Sequence, residues 1–413
     1  MHEYITLQNG IRIVAEKIPY LHSISIGVWV GNGSRHELLS EHGISHFIEH
    51  MVFKGTYRRS AEDIASEIDA IGGQINAFTA REYTCFYTKT LDQHAETALD
   101  ILSDIIFNPK LSDEDMALER QVINEEISLY EDTPEELVYD LLYDTVWHGT
   151  SMGRTILGTP QSLERINHST MLSYMKTHYT SKNIVISVSG NYDEALFELL
   201  EKYFGSKKLH TIKPEMPFAQ YSSGSIVKTK DIEQVQLAIG FNGIDIDEEE
   251  SVYSLLVFNN VFGCGMSSRL FQNIREKRGL VYSIGAGHSA YIGTGIFDIS
   301  AGTSSANLNQ VCELIAEEID NIKKPKLSQS EVSKAKEQLK GNYILSYEST
   351  DARMQSAGRS LLLGNKIYTQ EETINKIESV TIESVADIID KVLDIPTVST
   401  SAVGPIDSIK KLF

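Results

Sequence analysis

The chain has 413 residues, of which 41% are hydrophobic and 23% are charged, and its formal net charge is −20. A chain of this length exceeds one ordinary hydrophobic core, so we expect two or more domains. The strong negative charge argues against nucleic acid or an anionic membrane surface as a partner. The longest apolar stretches have only the length of a strand, so no membrane-spanning helix is expected.

The cysteines and the first residues bear on location. Cys85, Cys264 and Cys312 are far apart and show no paired spacing, so neither a disulfide framework nor a cysteine zinc site is expected. The first residues enter an apparent strand without a basic region or an apolar signal core. Both observations favour a reducing cytoplasm.

The hydrophobic pattern predicts alternating elements through the first half of the chain. Strands are predicted at 11–16, 22–30, 74–79, 83–88 and 183–189, and helices near 59–71, 92–106, 112–131, 134–146 and 193–204. Residues 205–222 contain glycine and two prolines, which indicates a linker.

A histidine pair follows the second predicted strand, in the segment His46-Phe47-Ile48-Glu49-His50. The surrounding residues predict a short helix closed by Gly55. Histidines four residues apart share one helical face and can bind one metal ion. Glu49 would lie beside that metal, where a carboxylate can take a proton from water, as amide hydrolysis requires. The order His-x-x-Glu-His is the inverted zincin signature.

The second half of the chain repeats the first. Pro109-Lys110-Leu111-Ser112 recurs as Pro325-Lys326-Leu327-Ser328, and each serine is placed to cap a following helix. The strand at 183–189 has a counterpart at 398–403. We therefore expect two homologous domains, residues 1–210 and 222–413, joined by a linker at about 205–222.

The repeat serves as an internal control for the histidine motif. Val252, Leu255 and Leu256 stand opposite His46, Glu49 and His50 when the two halves are aligned. The copied helix thus has ordinary core residues in place of metal-type residues. We expect the second domain to be catalytically empty.

The helix at 112–131 offers a third ligand, which a catalytic zinc site normally needs. Glu119, Val122, Ile123 and Glu126 fall on one stripe of this helix. Two carboxylates would then share a face with residues that favour burial. A buried carboxylate is costly unless it is paired, hydrogen-bonded or bound to metal.

The second repeat again lacks these groups. Ala335 and Asn342 stand where the first repeat has Glu119 and Glu126. The alternative is that both glutamates lie at the edge of the stripe and meet solvent or an arginine. Glu125 is a neighbouring candidate, although it points away from the stripe.

The inverted motif, the distant glutamate and the repeat resemble the pitrilysin/insulinase family of zinc peptidases, in the subfamily of the mitochondrial processing peptidase beta subunit and its bacterial relatives. The resemblance covers essentially the whole chain. It implies one Zn²⁺ per chain, held by His46, His50 and Glu126. It also implies Glu49 as the general base and Glu119 as a supporting acid near the metal.

The same resemblance implies the fold and the assembly. The expected fold class is α+β, with two homologous α/β domains that each have a mixed, mainly antiparallel sheet flanked by helices and together enclose a chamber. Family members with two repeats pair up, so a homodimer is expected.

Two further stretches match the family. Arg275 and Tyr282 resemble an arginine–tyrosine element that would stabilise the oxyanion of the substrate. Without the resemblance, they would be assigned as a solvated charge and a strand residue. The segment Asn76-Ala77-Phe78 resembles a strand edge that pairs with an extended peptide. A strand that simply pairs with its neighbour is the alternative.

These observations favour a zinc-dependent endopeptidase that cleaves extended, unfolded peptides or presequence-like segments inside a closed chamber. One alternative is a non-catalytic peptide-binding or scaffold subunit of a processing peptidase-like complex. A second is a structural zinc protein, which would fill four ligand positions.

Overall fold

The computed structural model describes residues 2–324, 327–364 and 366–409. Pro325 and Lys326 of the repeated tetrapeptide lie outside the described residues. Across these ranges, no helix is both long and apolar enough to cross a membrane. The chain forms two compact units, each built around one mixed sheet.

Strands and helices alternate along the chain. The strands are β1 (His2–Thr6), β2 (Arg12–Lys17), β3 (Ser23–Val30), β4 (Gln74–Thr79), β5 (Thr84–Leu91), β6 (Ile184–Gly190), β7 (Ser225–Thr229), β8 (Val235–Asn242), β9 (Val281–Tyr291), β10 (Thr294–Thr303) and β11 (Ser399–Gly404). The α-helices are α1 (Ile44–Val52), α2 (Ala61–Ala70), α3 (Ala95–Phe107), α4 (Asp113–Glu131), α5 (Pro134–Val146), α6 (Pro160–Leu163), α7 (His168–His178), α8 (Ala195–Leu200), α9 (Glu249–Phe262), α10 (Leu308–Lys323), α11 (Gln329–Ser346), α12 (Thr350–Leu363), α13 (Gln370–Ser379) and α14 (Ile382–Val392).

The two sheets share one design. The first has six strands in the order β1-β2-β6-β3-β5-β4, and the second has five in the order β7-β11-β8-β10-β9. In the first sheet β2 and β6 are parallel and the other pairs are antiparallel. In the second sheet β7 and β11 are parallel, and the other pairs are antiparallel. The expected α+β class with two mixed, mainly antiparallel sheets is confirmed.

The compact units do not follow the chain order. The first consists of residues 1–127, 155–217 and 346–369, and the second consists of 128–154, 218–345 and 370–413. Helix α5 of the first half therefore packs on β8 and β11, while α12 of the second half packs on β3 and β6. The division expected at 1–210 and 222–413 lacks this exchange, because a helical pattern does not specify which sheet the helix will cover.

The exchanged helix α12 explains why β3 is buried on both faces rather than one. Met354 and Leu362 of α12 join Trp29 of β3 in one buried cluster. Close approach requires a glycine at the contact, since a Cβ on Gly358 would lie 2.1 Å from Nε1 of Trp29. On the other face, α3 packs against β3 and β5.

Helix boundaries agree closely with the sequence pattern in the first half. The helix expected at 134–146 spans these residues, and that expected at 112–131 begins one residue later. The motif helix is shorter than expected, because α1 ends at Val52 with Phe53 as its C-cap. Gly55 has φ +122° but lies in the turn beyond that cap, where it forms a bridge with Ser60.

Candidate metal centre

Helix α1 carries the histidine motif and begins in a buried setting. Its N-cap, Gly43, has φ 90°, a left-handed conformation that favours glycine. The buried carboxylate of Glu37 accepts the N–H of Gly43 at 2.7 Å and the N–H of Ser45 at 2.9 Å. Glu37 thus satisfies two amides that a helix N-terminus leaves without intrahelical partners.

His46, His50 and Glu126 converge in the first unit, and each offers one ligand atom within 4.8 Å of the others. Oε2 of Glu126 lies 3.6 Å from Nε2 of His46 and 3.8 Å from Nε2 of His50. These separations are too long for direct hydrogen bonds. They suit a shared cation, because ligand atoms about 2.1 Å from a tetrahedral zinc ion are about 3.4 Å apart.

The electrostatics of the two histidines and the glutamate also suit a metal ion. Burial, together with a smaller effect of the neighbouring His50, lowers the pKa of His46 to about 3. The imidazole is therefore neutral near pH 7, which is the form that binds metal. Burial raises the pKa of Glu126, because desolvation disfavours its charged form. A cation at this point would favour the ionised carboxylate.

Helix α4 presents its two glutamates at different depths. Glu119 and Ile123 are buried, Glu126 is half-buried, and Val122 is 49% exposed. The stripe expected to be buried as a whole is therefore buried on one side only. Each residue turns the helix by about 100°, which places Glu126 between Glu119 and Val122 around the axis. From this position the half-buried Glu126 reaches both histidines.

Glu119 supports His50 rather than facing the cluster. Its Oε2 lies 3.1 Å from Nδ1 of His50, and its Oε1 lies 2.5 Å from Nζ of Lys54. A carboxylate bound to the second nitrogen of a metal-binding histidine fixes the ring orientation and the tautomer. The buried glutamate is therefore paired on both oxygens.

Glu49 lies on α1 between the two histidines and contacts strand β4. The hydroxyl of Thr79 donates to Oε2 of Glu49 at 2.5 Å. Burial raises the pKa of Glu49, and the Thr79 hydrogen bond opposes part of that shift. A raised pKa suits a group that accepts a proton and later returns it.

Asn76, Ala77 and Phe78 lie on β4, which is an edge strand of the first sheet. Among the described residues, β4 pairs only with β5. The side chain of Asn76 is exposed, and its Oδ1 accepts the N–H of Ala77 at 2.8 Å. The free edge belongs to the same unit as the histidines, since Thr79 at its end holds Glu49.

Arg275 and Tyr282 belong to the second unit. Arg275 is exposed on a short π-helix, with its guanidinium carbon 4.8 Å from the centre of the Phe271 ring. Tyr282 is 63% exposed near the start of β9, which is the edge strand of the second sheet. Both side chains are thus at the surface of their own unit.

Three supporting residues were not singled out by the sequence reasoning: Glu37, Lys54 and Thr79. Lys54 follows the motif closely, and Thr79 ends the strand that was singled out. Their roles depend on how distant segments meet, so only their proximity to the motif could have indicated them. Glu37 lies nine residues before His46 and had no such signal.

The sequence models of two related domains match the chain. The model described as "Insulinase (Peptidase family M16)" matches residues 12–160. The model described as "Peptidase M16 inactive domain" matches residues 165–339. The second model agrees with the expectation that the second repeat lacks the metal-type residues.

Curated relatives match over nearly their full length. An uncharacterized zinc protease of Bacillus subtilis, YmxG, is 42% identical over 92% of this chain and 93% of that protein. An uncharacterized zinc protease of Rickettsia felis is 36% identical over 97% of each chain.

Solved structures agree in fold. A protease from Helicobacter pylori has a TM-score of 0.91 at 21% identity, covering 98% of this chain and 99% of that one. A "peptidase M16 inactive domain" from Pseudomonas fluorescens has a TM-score of 0.90 at 18% identity, covering 99% of both chains. Since the two family models span most of the sequence and the curated relatives match over nearly their whole length, the chain belongs to the insulinase family, peptidase family M16.

Proposed function

We propose that the chain is a zinc-dependent endopeptidase that cleaves extended, unfolded peptides or presequence-like segments. The observation that carries this proposal is the position of Glu49, a half-buried carboxylate between two histidines that converge with Glu126. A structural metal site needs a fourth ligand, whereas this cluster has three and a carboxylate that is held by Thr79 instead.

Each residue of the metal centre has its own role in amide hydrolysis. Zinc, when bound by His46, His50 and Glu126, would polarise the scissile carbonyl and lower the pKa of water to near 7. Glu49 accepts a proton from the attacking water and delivers it to the leaving amine. Thr79 orients Glu49 through the hydrogen bond to Oε2. Glu119 orients the imidazole of His50.

Strand β4 supplies a binding edge for the peptide backbone. Asn76, Ala77 and Phe78 would pair with an extended substrate through main-chain hydrogen bonds, which depend little on side chains. This mode supports broad specificity for unfolded segments. The net charge of −20 would favour basic substrates wherever carboxylates face the peptide.

The remaining features belong to the same proposal and rest on the family resemblance. Arg275 and Tyr282 would donate to the oxyanion that forms at the scissile carbonyl. Two chains would form a homodimer. A cytoplasmic location fits the low cysteine content, since disulfides mark oxidising compartments.

The test is the substitution Glu49→Gln, which keeps the size of the side chain but removes its basicity. We expect zinc content to stay unchanged and turnover of an unfolded reporter peptide to fall at least 1,000-fold, by roughly the combined effect of general base and general acid catalysis. Glu62→Gln, at an exposed position on α2, is the matched control and should keep full activity.

Three outcomes would contradict the proposal. Full turnover by the Glu49 variant at unchanged zinc content would remove Glu49 as the base. Peptide binding by the wild-type protein without any cleavage sensitive to a zinc chelator would favour the scaffold alternative. Unfolding on chelation before activity is lost would indicate a structural metal instead.

A further inference from the structure

A second feature of the first unit is a cavity of about 490 Å³ at the ends of β1 and β2. Three cationic residues line it, namely Arg12, Lys182 and Lys213. Among the described residues that line it, none carries a carboxylate. The chain as a whole has 57 acidic residues against 37 lysines and arginines, so a lining whose charged residues are all cationic departs from the overall composition.

Arg12 is the deepest cation of this cavity. It begins β2 and is half-buried, and its Nη1 donates to the carbonyl oxygen of Leu361 at 3.2 Å. Burial lowers the pKa of its guanidinium, because desolvation disfavours the charged form. In the described part of the chain, no carboxylate forms an ion pair with Arg12. The carbonyl of Leu361 therefore compensates only part of the desolvation of this charge.

The other lining groups are suited to an anion as well. Lys182 and Lys213 are exposed, and neither forms an ion pair with a described carboxylate. Thr6 and Thr211 are exposed residues of the lining, and each adds a hydroxyl group. Ammonium and hydroxyl groups converge here with a guanidinium whose planar fork matches the oxygens of a phosphate.

We propose that this cavity binds the phosphoryl group of a small phosphorylated molecule, either a nucleotide or a short inorganic polyphosphate. A polyanion matches three cations, whereas one carboxylate would leave two of them unneutralised. The cavity has the volume of a small-molecule pocket, which exceeds what a single phosphate fills. The net charge of −20 opposes binding of a long nucleic acid. This site contains none of the residues of the metal centre and does not rest on the proposed peptidase activity.

The experiment measures binding of inorganic triphosphate and of ATP by titration calorimetry at low ionic strength. The double variant Lys182→Gln/Lys213→Gln should bind triphosphate at least tenfold more weakly than the wild-type protein. Arg12→Gln should weaken binding to a similar extent. The weakening should shrink as salt is added, because exposed charges are screened.

The matched control is Lys110→Gln/Lys176→Gln, which removes the same charge at exposed positions of the same unit. Its affinity should stay within twofold of the wild type. Any binding of the probes at the metal centre is common to both double variants, so only their difference is assigned to the cavity. Because Lys182 and Lys213 are exposed, their substitution decides the question even if Arg12→Gln unfolds the protein.

The inference is overturned if triphosphate fails to bind at millimolar concentration, or if both double variants lose affinity equally. It is also overturned if citrate, a carboxylate anion of similar charge, binds more tightly than triphosphate. Tighter binding of ATP than of triphosphate would identify a nucleotide as the ligand. Equal binding would identify the phosphate chain.

Discussion

The carboxylate of Glu119 lies 3.1 Å from Nδ1 of His50, while Nε2 of the same ring faces Glu126 at 3.8 Å. When Nε2 is the ligand atom, Nδ1 carries the proton and donates to Glu119. The aligned position of the second repeat holds Ala335, which is also buried. The buried glutamate therefore occurs in the repeat that has a histidine to orient.

The first prediction concerns this pair. Glu119→Gln should lower zinc affinity about 10- to 100-fold, because the ring of His50 loses its charged acceptor. Lys54→Met should have a smaller effect in the same direction, since it removes only the partner of Glu119. Competition with a chromophoric chelator measures both. Glu125→Gln, at an exposed position one residue before Glu126, is the control and should bind zinc normally. Unchanged affinity in Glu119→Gln would show that the contact does not act on the metal.

The second prediction concerns the start of α1. Glu37→Gln keeps one acceptor oxygen but loses the charge that faces two amides at the helix N-terminus. We expect the free energy of unfolding to fall by about 2 kcal/mol, the scale of a buried charge-assisted hydrogen bond. Chemical denaturation measures this loss. Glu41→Gln is the control, since Glu41 accepts an amide at an exposed site and should cost much less. Equal losses of unfolding free energy in the two variants would show that Glu37 does not specifically stabilise the start of α1.

The third prediction separates orientation from metal binding. Thr79→Val removes the hydroxyl that donates to Glu49 and keeps the shape of the side chain. We expect kcat to fall about tenfold with zinc content unchanged, because Glu49 loses the bond that directs one of its oxygens. Thr79→Ser keeps the hydroxyl and should restore most of kcat. Loss of zinc from the valine variant, or equal rates in valine and serine variants, would contradict the orienting role.

The fourth prediction is a pH dependence of stability in the second unit. Asp298 on β10 is buried, which raises its pKa to about 6, while a hydrogen bond from Tyr139 opposes the shift. In the unfolded chain this pKa is about 3.9. Between these values the folded state holds a proton that the unfolded state has lost. The contribution of Asp298 to stability is therefore present below about pH 4 and is lost as the pH rises through 6.

The measurement compares urea unfolding of Asp298→Asn with that of the wild type at pH 4 and pH 7.5. Between pH 4 and pH 7.5, the free energy of unfolding of the wild type should fall by up to about 3 kcal/mol more than that of the variant, since one pKa unit corresponds to about 1.4 kcal/mol. Asp387→Asn, at an exposed position on α14, should behave like the wild type. Identical pH slopes for all three proteins would show that Asp298 does not titrate in this range. Burial lowers the pKa of His36 to about 3, which gives the opposite slope, so only differences between proteins are informative.

The pairing of His46 and His50 could be anticipated from the sequence because a regular helix encodes it. Spacing four residues apart fixes the two histidines on one face of α1 regardless of the tertiary fold. The internal repeat marked both Glu119 and Glu126, and the resemblance to the family indicated Glu126 as the ligand. By comparison, Lys54 and Glu119 meet only because the tertiary fold brings α4 to the residues that follow α1, which no local pattern specifies.

Burial was harder to anticipate than secondary structure. The pattern of α4 indicated an apolar stripe, but the exposure of Val122 depends on how far the helix is rotated against its neighbours. The sequence also did not indicate on which sheet α5 and α12 would pack, since an amphipathic face packs equally well on either of two similar sheets. The sheets themselves followed from the repeat, because related sequences form related strand orders.

The exchanged helices α5 and α12 also determine which fragments of this protein can fold. A fragment ending at residue 210 would carry the histidines but would leave Trp29 and Val185 without the cover of Met354 and Leu362. A fragment starting at residue 222 would expose Ala238 and Val403, which α5 covers through Leu142 and its neighbours. Each fragment would present a bare apolar sheet face and aggregate. Each half of the repeat therefore depends on the other for folding. Neither half could fold alone unless it regained a helix that covers its own sheet.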